Sequence, residues 1–312
     1  MKKLVLASSV AFASMIVSVQ AADMERDLER DLGLIVSGVV DQWAGVQVIN
    51  NSGGFDDGTL FTSGTAGYFS LPLGPNLSIQ NDFQIEHNEN AFDNDPSVLG
   101  PRFSYQGAGH LSYRDPSSFL VGVFGGAGTA NVNDWAAAGF DYDYRFVGGE
   151  AQMYMNDLTF YVQGGYLDVA DAWEGEPDEG IFGRGVLRWF IDADSRLQFE
   201  GLYMNVDNAA GSFVSDYDVV SWGARYDTNF ALPVVGEFPL YAAYRGTSRS
   251  DCNDGADQTD HTFMIGTSYS FSGTKLDVDR RGATLDTPNF GNFLTCYNGE
   301  EGGLIDGLLG DN

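Results

Sequence analysis

Leu77-Ser78-Ile79-Gln80-Asn81-Asp82-Phe83-Gln84-Ile85-Glu86 alternates between two kinds of residue. Leu77, Ile79, Phe83 and Ile85 fall on one side, interrupted only by Asn81. Ser78, Gln80, Asp82, Gln84 and Glu86 fall on the other. A strand turns successive side chains to opposite faces, so this run reads as a strand with one apolar and one polar face. The same period recurs in Ser104 to Arg114, Leu158 to Tyr166 and His261 to Phe271. Laid out along the chain it predicts twelve strands, near 34–46, 64–72, 77–86, 102–114, 119–126, 145–155, 158–167, 181–191, 196–206, 219–228, 240–247 and 261–271.

The connections predicted between them alternate in length. Gly74-Pro75-Asn76, Asp115 to Ser118, Asn156-Asp157 and Asp192 to Ser195 have the Gly, Pro, Asn and Asp chemistry of short turns. Longer polar segments lie near 47–63, 87–101, 127–144, 168–180, 207–218 and 248–260. Short turns at one end and long loops at the other, around an even number of strands, describe a transmembrane barrel. The connection near 229–239 is longer than its siblings, so ten or fourteen strands also fit. A soluble β-sandwich or lipocalin-like protein, with its apolar face inward, shares the alternation. Aromatic residues near strand ends, at Trp43, Tyr113, Tyr166, Trp189, Tyr226, Tyr269 and Phe271, favour a membrane girdle instead.

Composition narrows the field. Against 44 Asp plus Glu the 312 residues hold only 16 Lys plus Arg, for a formal charge of −28, the opposite of what a nucleic-acid partner requires. With 43% apolar residues, 22 Phe and 15 Tyr the chain has ample surface to bury, which argues against disorder. Lys2 and Lys3, the apolar run Leu4 to Val17, and Val19-Gln20-Ala21 have the form of an export signal over residues 1–21. Residues 22–33 follow as a charged lead-in, 34–271 as a single all-β antiparallel barrel, and 272–312 as a tail in the periplasm or in the lumen.

The signal peptide, the first strand Ile35 to Val40, the hairpin Leu71 to Gln80 and the aromatic strand end Ser268-Tyr269-Ser270-Phe271 resemble the porin-like outer-membrane barrels of Gram-negative bacteria. The resemblance covers roughly 34–271. It implies multi-pass insertion in the outer membrane, contact with outer-membrane lipid and lipopolysaccharide, handling by the barrel-assembly machinery, and a candidate homo-oligomer. Barrels of that kind end on an aromatic residue, whereas here about forty residues follow Phe271.

If the odd face of 77–86 meets lipid, the lumen receives the acids Asp41, Asp82, Glu86, Glu150, Glu200 and Asp227. It also receives the bases Arg114, Arg184, Arg188, Arg196, Arg225 and Arg245. Opposed charges across a narrow lumen set ion and solute selectivity in a pore. A salt-bridged, filled interior has the same inventory, and twelve strands lie between filled and open barrels. Acids crowd the long segments, where Arg249 is the sole base, so a conducting barrel is expected to prefer cations weakly. The alternative is a non-conducting surface protein, an adhesin, antigen or envelope-stabilising barrel.

No cofactor, metal or enzymatic role is expected. His87, His110 and His261 lack metal-ligand spacing, and only His110, Ser112 and Asp82 lie on strand faces that register would bring together. Asp251, Asn253, Asp254, Asp257 and Asp260 around Gly255 depart from the calcium-loop pattern. Cys252 and Cys296 are a candidate disulfide in an oxidising compartment, and a tail turned back into the lumen would bring them together.

Overall fold

The computed structural model describes residues 36–52, 58–90, 102–132, 140–170, 177–208, 216–232, 236–253 and 256–294. Twelve strands form one closed antiparallel barrel. They are β1 (Ser37–Asn51), β2 (Gly58–Pro72), β3 (Leu77–Asn90), β4 (Arg102–Asp115), β5 (Phe119–Val132) and β6 (Phe140–Met155). The circuit continues through β7 (Leu158–Val169), β8 (Pro177–Phe190), β9 (Arg196–Asn208), β10 (Tyr217–Leu232), β11 (Gly236–Asn253) and β12 (Ala256–Ser270). Each strand pairs with its sequence neighbours, and β1 pairs with β12 through Val39↔Ser270 to Asn51↔Gln258, so no edge is left open.

The count of twelve and the short turns stand as the alternation predicts, but several boundaries move. Leu232 pairs with Gly236, so the connection expected to be long near 229–239 is tight. The segment expected as a loop over 248–260 is mostly strand, with β11 reaching Asn253 and β12 starting at Ala256. Arg249 therefore belongs to the barrel wall and not to a loop. Beyond the bilayer both faces of a strand can be polar, so the alternation fades while the backbone ladder continues.

The faces are sorted as a membrane demands. Ile79, Phe83, Val123, Val147, Ile181 and Ile265 stand exposed on the outside. Gln80, Asp82, Glu86, Glu150, Arg188 and Thr262 are buried inside. An apolar surface wrapping a whole soluble barrel would far exceed what water tolerates, so this is a transmembrane β-barrel of the outer-membrane type. Tyr113, Tyr166, Trp189, Tyr226 and Tyr269 are exposed on the outer surface. Trp43 is not: it shares the inward face with Asp41 and lines the lumen.

After β12 the chain turns inward. Gly273 adopts φ 82°, a left-handed conformation that costs glycine nothing, and Thr274 caps helix α1 (Lys275–Arg281) in a reciprocal capping box with Asp277. The helix sits at the short-turn end. There Leu276 N–H donates to Ala193 O at 3.0 Å, and Arg280 donates to Asn156 O and Leu158 O at 2.9 and 3.0 Å. In the adjoining turn the backbone N–H of Asp194 and the Ser195 hydroxyl and N–H hold the Asp192 carboxyl below its ordinary range. From Gly282 the chain climbs the lumen to a short turn, α2 (Phe290–Phe293), at the opposite half of the barrel.

Candidate functional site

The residues climbing the lumen replace the water that an inward polar face would otherwise meet. Gln80 and Leu285 exchange hydrogen bonds side chain to backbone, extending the wall onto the tail. Thr287 donates both its N–H and its hydroxyl to Asp82, each at 2.9 Å. Gln106 donates to Pro288 O at 2.8 Å, and Asn289 and Asn292 donate to Glu86 at 3.0 and 2.8 Å. Arg249 donates to Asn292 O and pairs with Asp260 at 2.7 Å.

Asp286 is the electrostatic hub. Its carboxylate meets Arg184 at 2.7 Å and Arg188 at 3.1 Å, while Arg184 also meets Glu200 at 2.8 Å and Arg188 meets Asp279 at 2.9 Å. The two arginines stand on one face of β8, and two of their three carboxylate partners, Asp279 and Asp286, come from the tail. Paired charges of this kind lose heavily when one partner is removed.

The other inward charges pair within the wall. Arg225 reaches Asp41 at 2.6 Å and Asp227 at 2.7 Å, with its guanidinium 3.7 Å from the centre of the Tyr241 ring. Arg196 joins Asp227 at 3.0 Å, and Arg245 joins Glu86 at 3.0 Å. Arg114 donates to Gly282 O at 2.8 Å. Glu150 receives the Tyr161 hydroxyl at 2.7 Å and meets His110 Nδ1 at 2.8 Å, while His110 Nε2 lies 3.4 Å from Asp82. Ser112 bonds Ser78 at 2.9 Å, while the His110 ring lies between Glu150 and Asp82, so among the described residues no serine–histidine pair forms there. Among the described residues no group of His, Cys, Asp and Glu is arranged to hold a metal ion.

The upper lumen is apolar, which the charge inventory alone does not announce. Phe124, Tyr144, Phe146, Phe182, Leu202, Met204 and Tyr217 form an inward cluster that takes in Phe290, Phe293 and Leu294 of the tail. Phe290 is fully buried, with ring centres 4.8 Å from Phe182 and 4.9 Å from Phe146. Parity carries the signal: Phe182 lies two residues before Arg184 and Phe146 four before Glu150, on the same inward faces.

Among the described residues two abutting cavities lie beside the tail. The larger, about 170 Å³, lies between Asp286 to Asn289 and the wall of β1 to β3 and β8 to β12. The smaller, about 70 Å³, lies toward α1. They share Asp41, Tyr68, Gln198, Arg225 and Asp286.

No family model matches the chain, and no curated protein does. Solved structures align with it at low identity. An outer membrane channel from Pseudomonas putida aligns over 75% of this chain and 95% of its own at 12% identity, with a TM-score of 0.49. A BenF-like porin from Pseudomonas fluorescens aligns over 77% and 99% at 10% identity and a TM-score of 0.40. The outer membrane protein OprD from Pseudomonas aeruginosa aligns over 77% and 96% at 9% identity and 0.38. At such values none of them transfers a solute or a residue's role to this chain.

The export signal over 1–21, the lead-in over 22–33, Cys296 and the side chain of Cys252 lie outside the described residues.

Proposed function

We propose that this barrel resides in the outer membrane and is a channel for small hydrophilic solutes or ions, narrowed by its own C-terminal segment. The supporting observation is that the tail does not fill the lumen. Its bonds gather on Gln80, Asp82, Glu86, Gln106, Arg184 and Arg188 of β3, β4 and β8, with others to Arg249 and Ser37, and it leaves two abutting cavities that reach across to β1, β2 and β9 to β12. A solute following them passes the Asp41–Arg225 pair on one side and Asp286 with Arg184 on the other, a transverse field of the kind that selects among ions. The acidic loop end adds a weak preference for cations, screened over ~8 Å at physiological salt. A closed envelope barrel is the second reading, favoured by the aromatic seal around Phe290.

The test is single-channel current of the purified protein in a planar bilayer under a salt gradient, compared with a chain ending at Phe271. We expect small unitary steps with a cation-shifted reversal potential, and steps several-fold larger from the shortened chain. Silence from folded protein of both lengths would establish the closed barrel instead.

A further inference from the structure

We infer that the larger cavity is a binding site for an uncharged polyhydroxylated solute of monosaccharide size, seated on the Trp43 ring between Asp41 and Arg245. The inference rests on the proposed solute path for access from outside.

Size comes first. About 170 Å³ holds roughly five or six waters at liquid volume, enough for a small polyol or sugar and well below a drug-sized pocket. Charge comes second. The ionised groups around this space are already matched: Asp41 with Arg225, Glu86 with Arg245, Arg184 with Glu200 and Asp286. An ionic ligand would have to break one of these pairs in a desolvated setting, whereas a neutral one leaves them intact.

Hydrogen-bonding capacity comes third. Asp41 Oδ1, Trp43 Nε1 and Arg245 Nε are buried and have no partner among the described residues, and all three side chains line this one cavity. Asp41 is 4% exposed. Turned into the cavity by a small side-chain movement they would offer one acceptor and two donors, which suits hydroxyl groups, each able to donate and accept. An unmet buried polar atom carries a penalty that such a ligand removes.

The seat comes last. A Cβ on Gly64 would lie 2.2 Å from Trp43 Cζ2 and 2.5 Å from Ile85 O, so the indole fits against the bare backbone at Gly64 while still lining the cavity. A flat π-face beside hydrogen-bonding groups complements a ring molecule with an aliphatic C–H face and hydroxyl edges. The Tyr241 ring is not available in this way, being held between Gly266 and the Arg225 guanidinium.

The experiment titrates full-length protein in micelles with D-glucose, following tryptophan fluorescence and saturation-transfer NMR, with gluconate and glucosamine as charged counterparts. Saturable glucose binding in the millimolar range is expected, with both charged sugars at least several-fold weaker. Trp43→Phe keeps a ring and loses the donor, and weakens binding by about two- to ten-fold, the range of one hydrogen bond. Trp43→Ala removes the seat and abolishes it; where that variant fails to fold, Trp43→Phe decides alone. No saturation in folded wild type, equal affinity for gluconate or glucosamine, or unchanged affinity in Trp43→Phe would each overturn the site. Bilayer currents separate the two proposals. Conduction that glucose does not block, with no binding by NMR, retains the channel and removes the site. Binding by protein that passes no current retains the site and removes the channel.

Discussion

At the scale of single residues, the tail is anchored by a few side chains of unequal weight. Phe290 sits fully buried among Phe146, Phe182 and Tyr144, and truncating such a ring costs about 3–5 kcal/mol. Phe290→Ala is therefore expected to loosen the upper tail while sparing the barrel. Limited proteolysis should cut the variant within 283–294 at protease levels that leave wild type whole, and unitary currents should grow. Tyr217, at the start of β10, and Arg249 carry the same segment and were harder to see from sequence. Arg249 continues the inward series Arg245, Thr247, Arg249, but the acids around it gave the stretch the look of a loop. The inward face of 77–86 was legible because every partner on its other face is apolar save Asn81. The apolar upper lumen was hidden by the assumption that one parity must be all polar, and Phe182 beside Arg184 is the counterexample.

At the scale of elements, strand number was legible and strand length was not. Pleating imposes a period of two only where the two faces meet different surroundings, so the readable part of each strand is the part within the bilayer. Helix α1 left no periodic trace, because one of its length is unstable alone and is held here by contacts at both ends. Thr274 and Asp277 close its first turn, and Gly282 passes so near β1 that a Cβ would lie 2.0 Å from Ser37 Oγ. Gly282→Val should unseat α1 and break the bonds from Arg114 to Gly282 O and from Ala283 N–H to Ser37. The expected outcome is rapid amide exchange over 274–288 with protected strands, read by hydrogen-exchange mass spectrometry.

At the scale of the whole molecule, closure and occupation are separable. The ladder between β1 and β12 is complete at Val39↔Ser270, before the tail begins. A chain ending at Phe271 is expected to fold, keeping the faster migration of an unheated β-barrel in detergent gels, with a lower transition temperature from the arginines on β8 left without Asp279 and Asp286. Slow migration only after heating, as in wild type, would support this; loss of the heat-dependent shift would show that the barrel needs its tail. The inserted segment follows the closing strand rather than preceding the first. The inserted segment lies inside a cylinder whose wall is built from residues that precede it in the chain. Because the ladder closes without the segment, the wall by itself encloses a wider lumen than the one the segment leaves.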